Sequence, residues 1–225
     1  TDKTMNVYEV DPYEMSAYLQ DKMEFDEMVI NLGLRYDYFN ANHRYPTDRR
    51  NPSNQLALPD SMMTNYEMAE PKTQLSPRFG LAYQLSDQAV LHISYGHFFQ
   101  MAPMYALYEN NIFRVPVGDF ATTMGNTQLE PQKTISYEIG IWQEVMRNMG
   151  LELTLYYRDI YDLLSTRIIS TYNQIEYGLY TNKDYGNARG LEVKWDYNWD
   201  HFYTSVNYTL AYPRGNADNP LQTFT

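Results

Sequence analysis

Between residues 28 and 38 the chain alternates strictly: Met28, Ile30, Leu32, Leu34, Tyr36 and Tyr38 fall on one side of an extended strand, Val29, Asn31, Gly33, Arg35 and Asp37 on the other. One side is apolar and the other is polar or small. The period of two returns in Phe79, Leu81, Tyr83 and Leu85, in Leu91, Ile93 and Tyr95, and in Ile135, Tyr137, Ile139 and Ile141. Further copies are Leu151, Leu153, Leu155 and Tyr157; Leu191, Val193, Trp195 and Tyr197; and Phe202, Thr204, Val206, Tyr208 and Leu210. A weaker one, Met15, Ala17 and Leu19, lies near the start. The pattern predicts strands near 13–24, 28–38, 77–85, 89–99, 134–144, 151–164, 189–199 and 202–212. Each is about ten residues long, the length a tilted strand needs to cross a bilayer.

The connections alternate too. Short polar joints lie around Glu24 to Glu27, Ser86 to Gln88, Met146 to Gly150 and Asp200 to His201, and long segments lie near 39–74, 100–132, 166–187 and 213–225. Turn formers crowd the long segments: Asn42, Pro46, Asp48, Asn51-Pro52, Pro59-Asp60, Gly118-Asp119, Gly125-Asn126, Gly186-Asn187, Gly215-Asn216 and Asn219-Pro220. All long loops at one end and all short turns at the other is the habit of antiparallel outer-membrane barrels, whose short turns are periplasmic. On that reading both ends of the chain lie on the extracellular side, and the expected fold is a meander of transmembrane strands forming part of a larger barrel. The opening Thr1-Asp2-Lys3 fits a chain continued upstream or shorn of a leader. A closed eight-stranded barrel would have to fill its narrow interior with side chains. The inward set here includes Gly33, Gly80, Ala82, Ser94, Gly96, Ser136 and Gly140 among Arg35, Glu138, Arg158 and Glu192, which suits a wide, wet or plugged bore better.

Composition narrows the picture. Aromatics make up 16% of the chain and 23 residues are Tyr, a residue of pleated surfaces and of oil–water boundaries. The net charge of −11 is the wrong sign for a protein that tracks phosphate backbones, so nucleic acid is not an expected partner. With no cysteine, disulfides, thiolate metal sites and Cys nucleophiles are excluded together. No apolar run approaches the length of a membrane-spanning helix, which leaves a β-barrel possible because its strands need only one apolar face.

Several stretches resemble the barrel domain of TonB-dependent outer-membrane receptors. They are Ser16-Ala-Tyr-Leu-Gln-Asp-Lys22, Gly33-Leu-Arg-Tyr-Asp-Tyr38, Leu75-Ser-Pro-Arg-Phe-Gly-Leu-Ala-Tyr83 and Ser94-Tyr-Gly-His-Phe-Phe99, then Asn126-Thr-Gln-Leu-Glu-Pro-Gln-Lys-Thr134 with Tyr137-Glu138-Ile-Gly140. Tyr156-Tyr-Arg-Asp-Ile-Tyr-Asp-Leu163, Asn187-Ala-Arg-Gly-Leu-Glu192 and Val206-Asn-Tyr-Thr209 continue the series in order. Gln132 stands where the family often has Glu. The resemblance covers about residues 13–212. It implies a 22-stranded barrel in outer-membrane lipid, filled by an N-terminal plug domain of the parent chain, coupled to the TonB system, and importing a scarce small ligand such as a metal chelate, vitamin or glycan. Neither a plug nor a TonB-contact segment is among these residues. A passive porin-like or adhesive barrel and a soluble carbohydrate-binding β-sandwich are the competing readings.

Nothing points to an enzyme or to a cofactor. His92 and His97 differ by five positions and face opposite ways on one strand, while His43 and His201 fall at opposite ends of the barrel. Asp159 and Asp162 lack a partner acid, base or nucleophile, and Asp184, Asn187 and Glu192 do not have the spacing of a calcium loop. Inward Arg35, Asp37, Glu138, Arg158, Glu192 and Lys194 are expected to pair across strands. Trp195, Trp199, Phe202 and Tyr203, around one short joint, are expected in an interfacial aromatic belt. A ligand would be met in the long loops, where Tyr45, Tyr105, Tyr108, Phe113, Arg114, Tyr172 and Tyr177 offer aromatic faces and a cation. Met101, Met104 and Met124 are expected to pack the loops.

Overall fold

The structure, a computed structural model, describes residues 8–115, 122–216 and 223–224. It contains twelve strands, one short α-helix and a single 3-10 turn (Asp60–Met62) in those segments: β1 (Tyr13–Glu24), β2 (Met28–Asn40), β3 (Arg44–Pro46), β4 (Tyr66–Met68), β5 (Lys72–Ser86), β6 (Ala89–Gln100), α1 (Met104–Tyr108), β7 (Thr123–Met124), β8 (Gln132–Met146), β9 (Met149–Ser170), β10 (Glu176–Trp199), β11 (Phe202–Asn216) and β12 (Thr223–Phe224). The principal sheet is an antiparallel meander in the order β1-β2-β5-β6-β8-β9-β10-β11-β12. The short β7 adds to β10 in parallel at Gly178 and Leu179, and β3 pairs with β4 as a separate hairpin. Tight joints carry left-handed residues at Asn148 and Asp200, types whose short polar side chains tolerate that conformation.

Register turns the alternating pattern into a surface. Ile30, Leu81, Ile93, Ile139, Leu155, Leu191 and Leu210 lie opposite one another strand by strand, and the next row down is Met28, Tyr83, Leu91, Ile141, Leu153, Val193 and Tyr208. Toward the long-loop end the same face carries Tyr95, Tyr137 and Tyr157 in ring-to-ring contact, and toward the joints it carries Trp195 stacked on Tyr197. An aliphatic band between two aromatic rows is the outer surface of a membrane barrel. Among the described residues no helix or second sheet covers it: Leu155 is 57% exposed and Ile139 47%. The buried apolar side chains, Ala89 apart, lie instead beyond the membrane-facing rows at the long-loop end, so the sandwich reading does not describe this molecule.

The opposite face is small and polar. Gly33, Arg78, Gly96, Ser136 and Arg158 share one row, and Asn31, Gly80, Ser94, Glu138, Tyr156 and Gly190 the next. At Gly140 an added Cβ would lie 2.2 Å from His92 Nε2 and 2.7 Å from Thr154 Oγ1, so only glycine lets these side chains cross the strand. Charge pairing departs from expectation. Arg158 Nη2 donates across strands to Glu138 Oε1 at 2.9 Å, whereas Arg35 pairs with Asp37 at 2.8 Å and Lys194 with Asp196 at 3.0 Å along their own strands. Side chains two apart in a strand share a face, and here they reach each other without a neighbour's help. Tyr203 also departs: it sits opposite Asn198 and donates its hydroxyl to Asp196 Oδ1 at 2.8 Å, on the inner face, while Trp195, Trp199 and Phe202 face outward as expected.

The stretch near 166–187 is mostly strand rather than loop. β9 and β10 run on together to Ser170 and Glu176, and Gly186, expected in a turn, lies mid-strand opposite Ile160 and Gly215. The true turn is Thr171–Ile175, closed by a Thr171 N–H donating to Ile175 O at 2.9 Å and an Ile175 N–H donating to Thr171 Oγ1 at 3.0 Å. Gly215, also read as a turn former, is ladder residue of β11. Gly118-Asp119 and Asn219-Pro220 lie outside the described residues.

Candidate functional site

The long connections and the β9–β10 extension fold into one cap. Two clusters hold it. Phe39, Ala41, Ala69, Ala106, Leu107, Tyr108 and Leu129 form the first, against Phe99, Met101, Leu164 and Tyr180. Phe113, Val115, Met124, Tyr177 and Leu179 form the second, against Ile169 and Ile175. The helix α1 begins after Pro103, whose fixed φ suits a helix entry, and presents Ala106, Leu107 and Tyr108 to the interior.

Polar side chains stitch the clusters. Asn126 is the hub: its N–H donates to Ala106 O at 2.8 Å, its Nδ2 to Tyr180 O at 3.0 Å, and its Oδ1 accepts from Arg49 Nη2 at 3.0 Å and from the Gln128 N–H at 3.1 Å. The preceding Gly125 passes so close to α1 that a Cβ would lie 2.6 Å from Leu107 O, a backbone atom that has nowhere to retreat. Asn182 does the same work lower down, donating to the carbonyls of Glu130 and Asp162 and accepting the Glu130 N–H.

Three of the residues expected to meet a ligand are interior. Tyr108 is fully buried and donates to Ala41 O at 2.7 Å; Tyr177 is 2% exposed and donates to Arg49 O at 2.6 Å; Phe113 is buried and stacked on Tyr66. Loop aromatics this large are needed to give a wide cap a core of its own, and their hydroxyls satisfy loop carbonyls that no ladder reaches. The other four stay accessible. Tyr105 is half exposed and packs its edge on Tyr180. Arg114 is exposed, Tyr172 is half-buried under Arg50 at 4.3 Å with its hydroxyl on Asp48 Oδ2, and half-buried Tyr45 donates to Glu67 Oε2 at 2.9 Å. Of the methionines, Met124 and Met101 pack the cap as expected, but Met104 is exposed at the start of α1.

Burial pushes the phenols of Tyr108 and Tyr177 up to about 12. A phenol whose pKa is higher folded than unfolded adds stability that is complete below about pH 10 and disappears as pH rises through the folded value. The cap is therefore expected to stay closed to about pH 10 and to open between roughly pH 10 and 12. Tyrosinate absorbance with protease cleavage of the 47–65 loop would follow it. Cleavage that accelerates below pH 9 would contradict the assignment.

Among the described residues no group of His, Asp and Glu is disposed to hold a metal ion, and no helix is long and apolar enough to cross a membrane, which says nothing of a barrel. The sequence profile of the "TonB dependent receptor-like, beta-barrel" family matches residues 2–224. The chain belongs to that family. TonB-dependent receptors are outer-membrane transport receptors rather than enzymes, and the lipid-facing band above is their outer wall. Solved receptors share the fold at low identity. The FrpB iron transporter from Neisseria meningitidis aligns over 92% of this chain and 26% of its own, at 15% identity and a TM-score of 0.62. The Serratia marcescens hemophore receptor HasR, in a complex with its hemophore HasA and heme, aligns over 91% and 34% at 16% identity and 0.68. The alcaligin receptor FauA from Bordetella pertussis aligns over 94% and 32% at 16% identity and 0.54. This receptor segment thus spans about a quarter to a third of the chains it matches. No curated protein matches the sequence significantly.

Proposed function

We propose that the chain is the ligand-capturing part of an active importer: the cap meets a scarce small ligand outside the cell, and the ligand then passes through a bore closed by the plug domain of the parent protein and opened by the TonB system. The observation that carries this is the cap itself. Passive channels need an unobstructed mouth, whereas here two long connections fold over the wall as a packed, hydrogen-bonded body with its own core. Tyr45, Tyr105, Arg114 and Tyr172, accessible on that body, are the residues assigned to ligand contact. Flat aromatic faces with cations among them suit metal chelates, vitamins and glycans alike. That the fold is shared with an iron transporter, a hemophore receptor bound to heme and an alcaligin receptor favours a metal chelate.

The test replaces residues 47–65 by a short Gly-Ser linker in the full-length protein. Uptake of a radiolabelled iron chelate, of cobalamin and of a soluble oligosaccharide is then compared with wild type, alongside heat-modifiable mobility as a check on barrel insertion. Loss of energy-dependent uptake of one of the three with normal insertion is the expected result. Uptake of none by the wild type, or unchanged uptake by the variant, would overturn the proposal.

A further inference from the structure

The lipid-facing wall carries one polar exception. From the row of Tyr95, Tyr137 and Tyr157 down to the joints, the outward side chains of β2, β5, β6, β8, β9 and β10 are apolar or aromatic, save Gln143 on β8. Its amide is exposed and makes no hydrogen bond among the described residues. Gln143 stands in the row of Ala89, Leu151 and Trp195, level with the lower aromatic belt. A groove of about 360 Å³ opens at this point, lined by Ile141, Gln143, Val145, Leu151 and Leu153. The register brings these five together: Ile141 lies opposite Leu153 and Gln143 opposite Leu151, and then the ladder slips between Glu144 and Met146, leaving Val145 bulged and unpaired.

From residue 141 to residue 145 the groove follows the strand for about 13 Å, at roughly 3.3 Å per residue, a length that suits an extended hydrocarbon chain. Hydrocarbon covers the four apolar side chains but not the amide, which finds no water in lipid and needs a bonding partner. At the level of an aromatic belt the lipid itself supplies one, because the ester carbonyls of a glycerolipid accept hydrogen bonds there. The joints below set the charge. The Glu144 N–H donates to Gln88 O at 2.8 Å, which holds the joint bearing Asp87 beside the joint bearing the exposed Arg147. Arg147 makes no ion pair among the described residues. A head with one phosphate and one ammonium finds a partner for each in this setting, whereas a purely anionic head meets two carboxylates for one guanidinium.

We infer that this groove holds one glycerophospholipid of the periplasmic leaflet with an ammonium headgroup. One acyl chain lies along Ile141, Leu151 and Leu153, and an ester carbonyl accepts a hydrogen bond from Gln143 Nε2. The phosphate faces Arg147, and the ammonium faces Asp87 and Glu144. The site continues the lipid-facing band and differs from it in binding a single molecule by chain and head together. It needs only the wall, so it stands or falls apart from ligand capture by the cap.

The test titrates delipidated full-length protein in maltoside detergent with dioleoyl phosphatidylethanolamine or dioleoyl phosphatidylglycerol and counts bound lipid by native mass spectrometry. Wild type is expected to bind a first phosphatidylethanolamine about tenfold more tightly than further copies and about tenfold more tightly than phosphatidylglycerol. Gln143→Leu, which removes the amide and keeps an apolar side chain, is expected to weaken that first step by about tenfold. Leu153→Trp fills the groove and is expected to abolish it, while Leu81→Trp, on the same face outside the groove, leaves it unchanged. Heat-modifiable mobility checks that each variant is a folded barrel, and the wild-type comparison of the two lipids decides the headgroup without any variant. Equal affinity for the two lipids, an unchanged first step in Gln143→Leu or in Leu153→Trp, or a wild-type dimer that carries no lipid would overturn the inference.

Discussion

Leu155→Arg is expected to lower the stability of the barrel refolded into lipid vesicles by about 2–4 kcal/mol, the cost of an arginine on the lipid face near the bilayer midplane. Leu155 stands in the middle of the seven-residue aliphatic row, between Ile139 and Leu191, and is 57% exposed with only hydrocarbon to solvate it. Asn31→Arg places the same group on the inner face beside Gly80, where water or polar partners receive it, and is expected to cost under about 1 kcal/mol. Leu32→Arg, in the aromatic row itself with Phe79, Tyr95 and Tyr137, is expected to fall between them. Urea titrations of refolding into vesicles measure all three. Equal penalties at positions 31 and 155 would mean that the two faces have been assigned wrongly.

The wall was legible because one physical requirement governs it everywhere. A strand with lipid on one side and a polar bore on the other must alternate, so Met28 to Tyr38 announces its facing without help from the rest of the chain. The requirement lapses where the strands leave the membrane. In Ser165-Thr-Arg-Ile-Ile-Ser170 two isoleucines are adjacent, and one of them, Ile169, packs against the second cap cluster while the other is exposed. With lipid no longer sorting the faces, the periodicity stops but the ladder does not, and the extension reads as loop.

The cap was legible in composition and not in arrangement. Tyr108, Phe113 and Tyr177 look like Tyr105 in the sequence, and nothing local separates an aromatic that fills a core from one that meets a ligand. What separates them is contact over long range: the hydroxyl of Tyr177 meets a carbonyl 128 positions away, and that of Tyr108 one 67 positions away. Asn126 and Arg49 were missed for the same reason. A loop Asn before Thr is an ordinary turn signal, and its role as the junction of α1, β10 and the 41–69 connection appears only when those three are brought together.

Tyr177→Ala is expected to unfasten the cap while leaving the wall intact. The side chain is at the centre of the second cluster, between Phe113, Met124 and Leu179, and truncating a buried aromatic costs about 3–5 kcal/mol when the surroundings cannot collapse into the gap. Here the loss falls on a cluster that lies beyond the lipid-facing rows of the wall, so it should appear as local opening rather than as global unfolding. Deuterium exchange at residues 47–65 and 106–115 is expected to rise by about two orders of magnitude or more, with exchange in β8 and in β9 up to Asp159 unchanged. Tyr177→Phe keeps the ring and removes only the hydrogen bond to the carbonyl of Arg49, at a cost of about 1–3 kcal/mol, and should raise exchange in the 47–65 connection more mildly, because Asp48 and Arg50 still hold Tyr172 and Arg49 still holds Asn126. If Tyr177→Ala leaves exchange in the cap unchanged, the ring is not packed as described, and Tyr177 returns to the residues available for ligand contact. If exchange in the wall rises with it, cap and wall are one cooperative unit, and the cap could not lift to admit a ligand without unfolding the barrel that carries it.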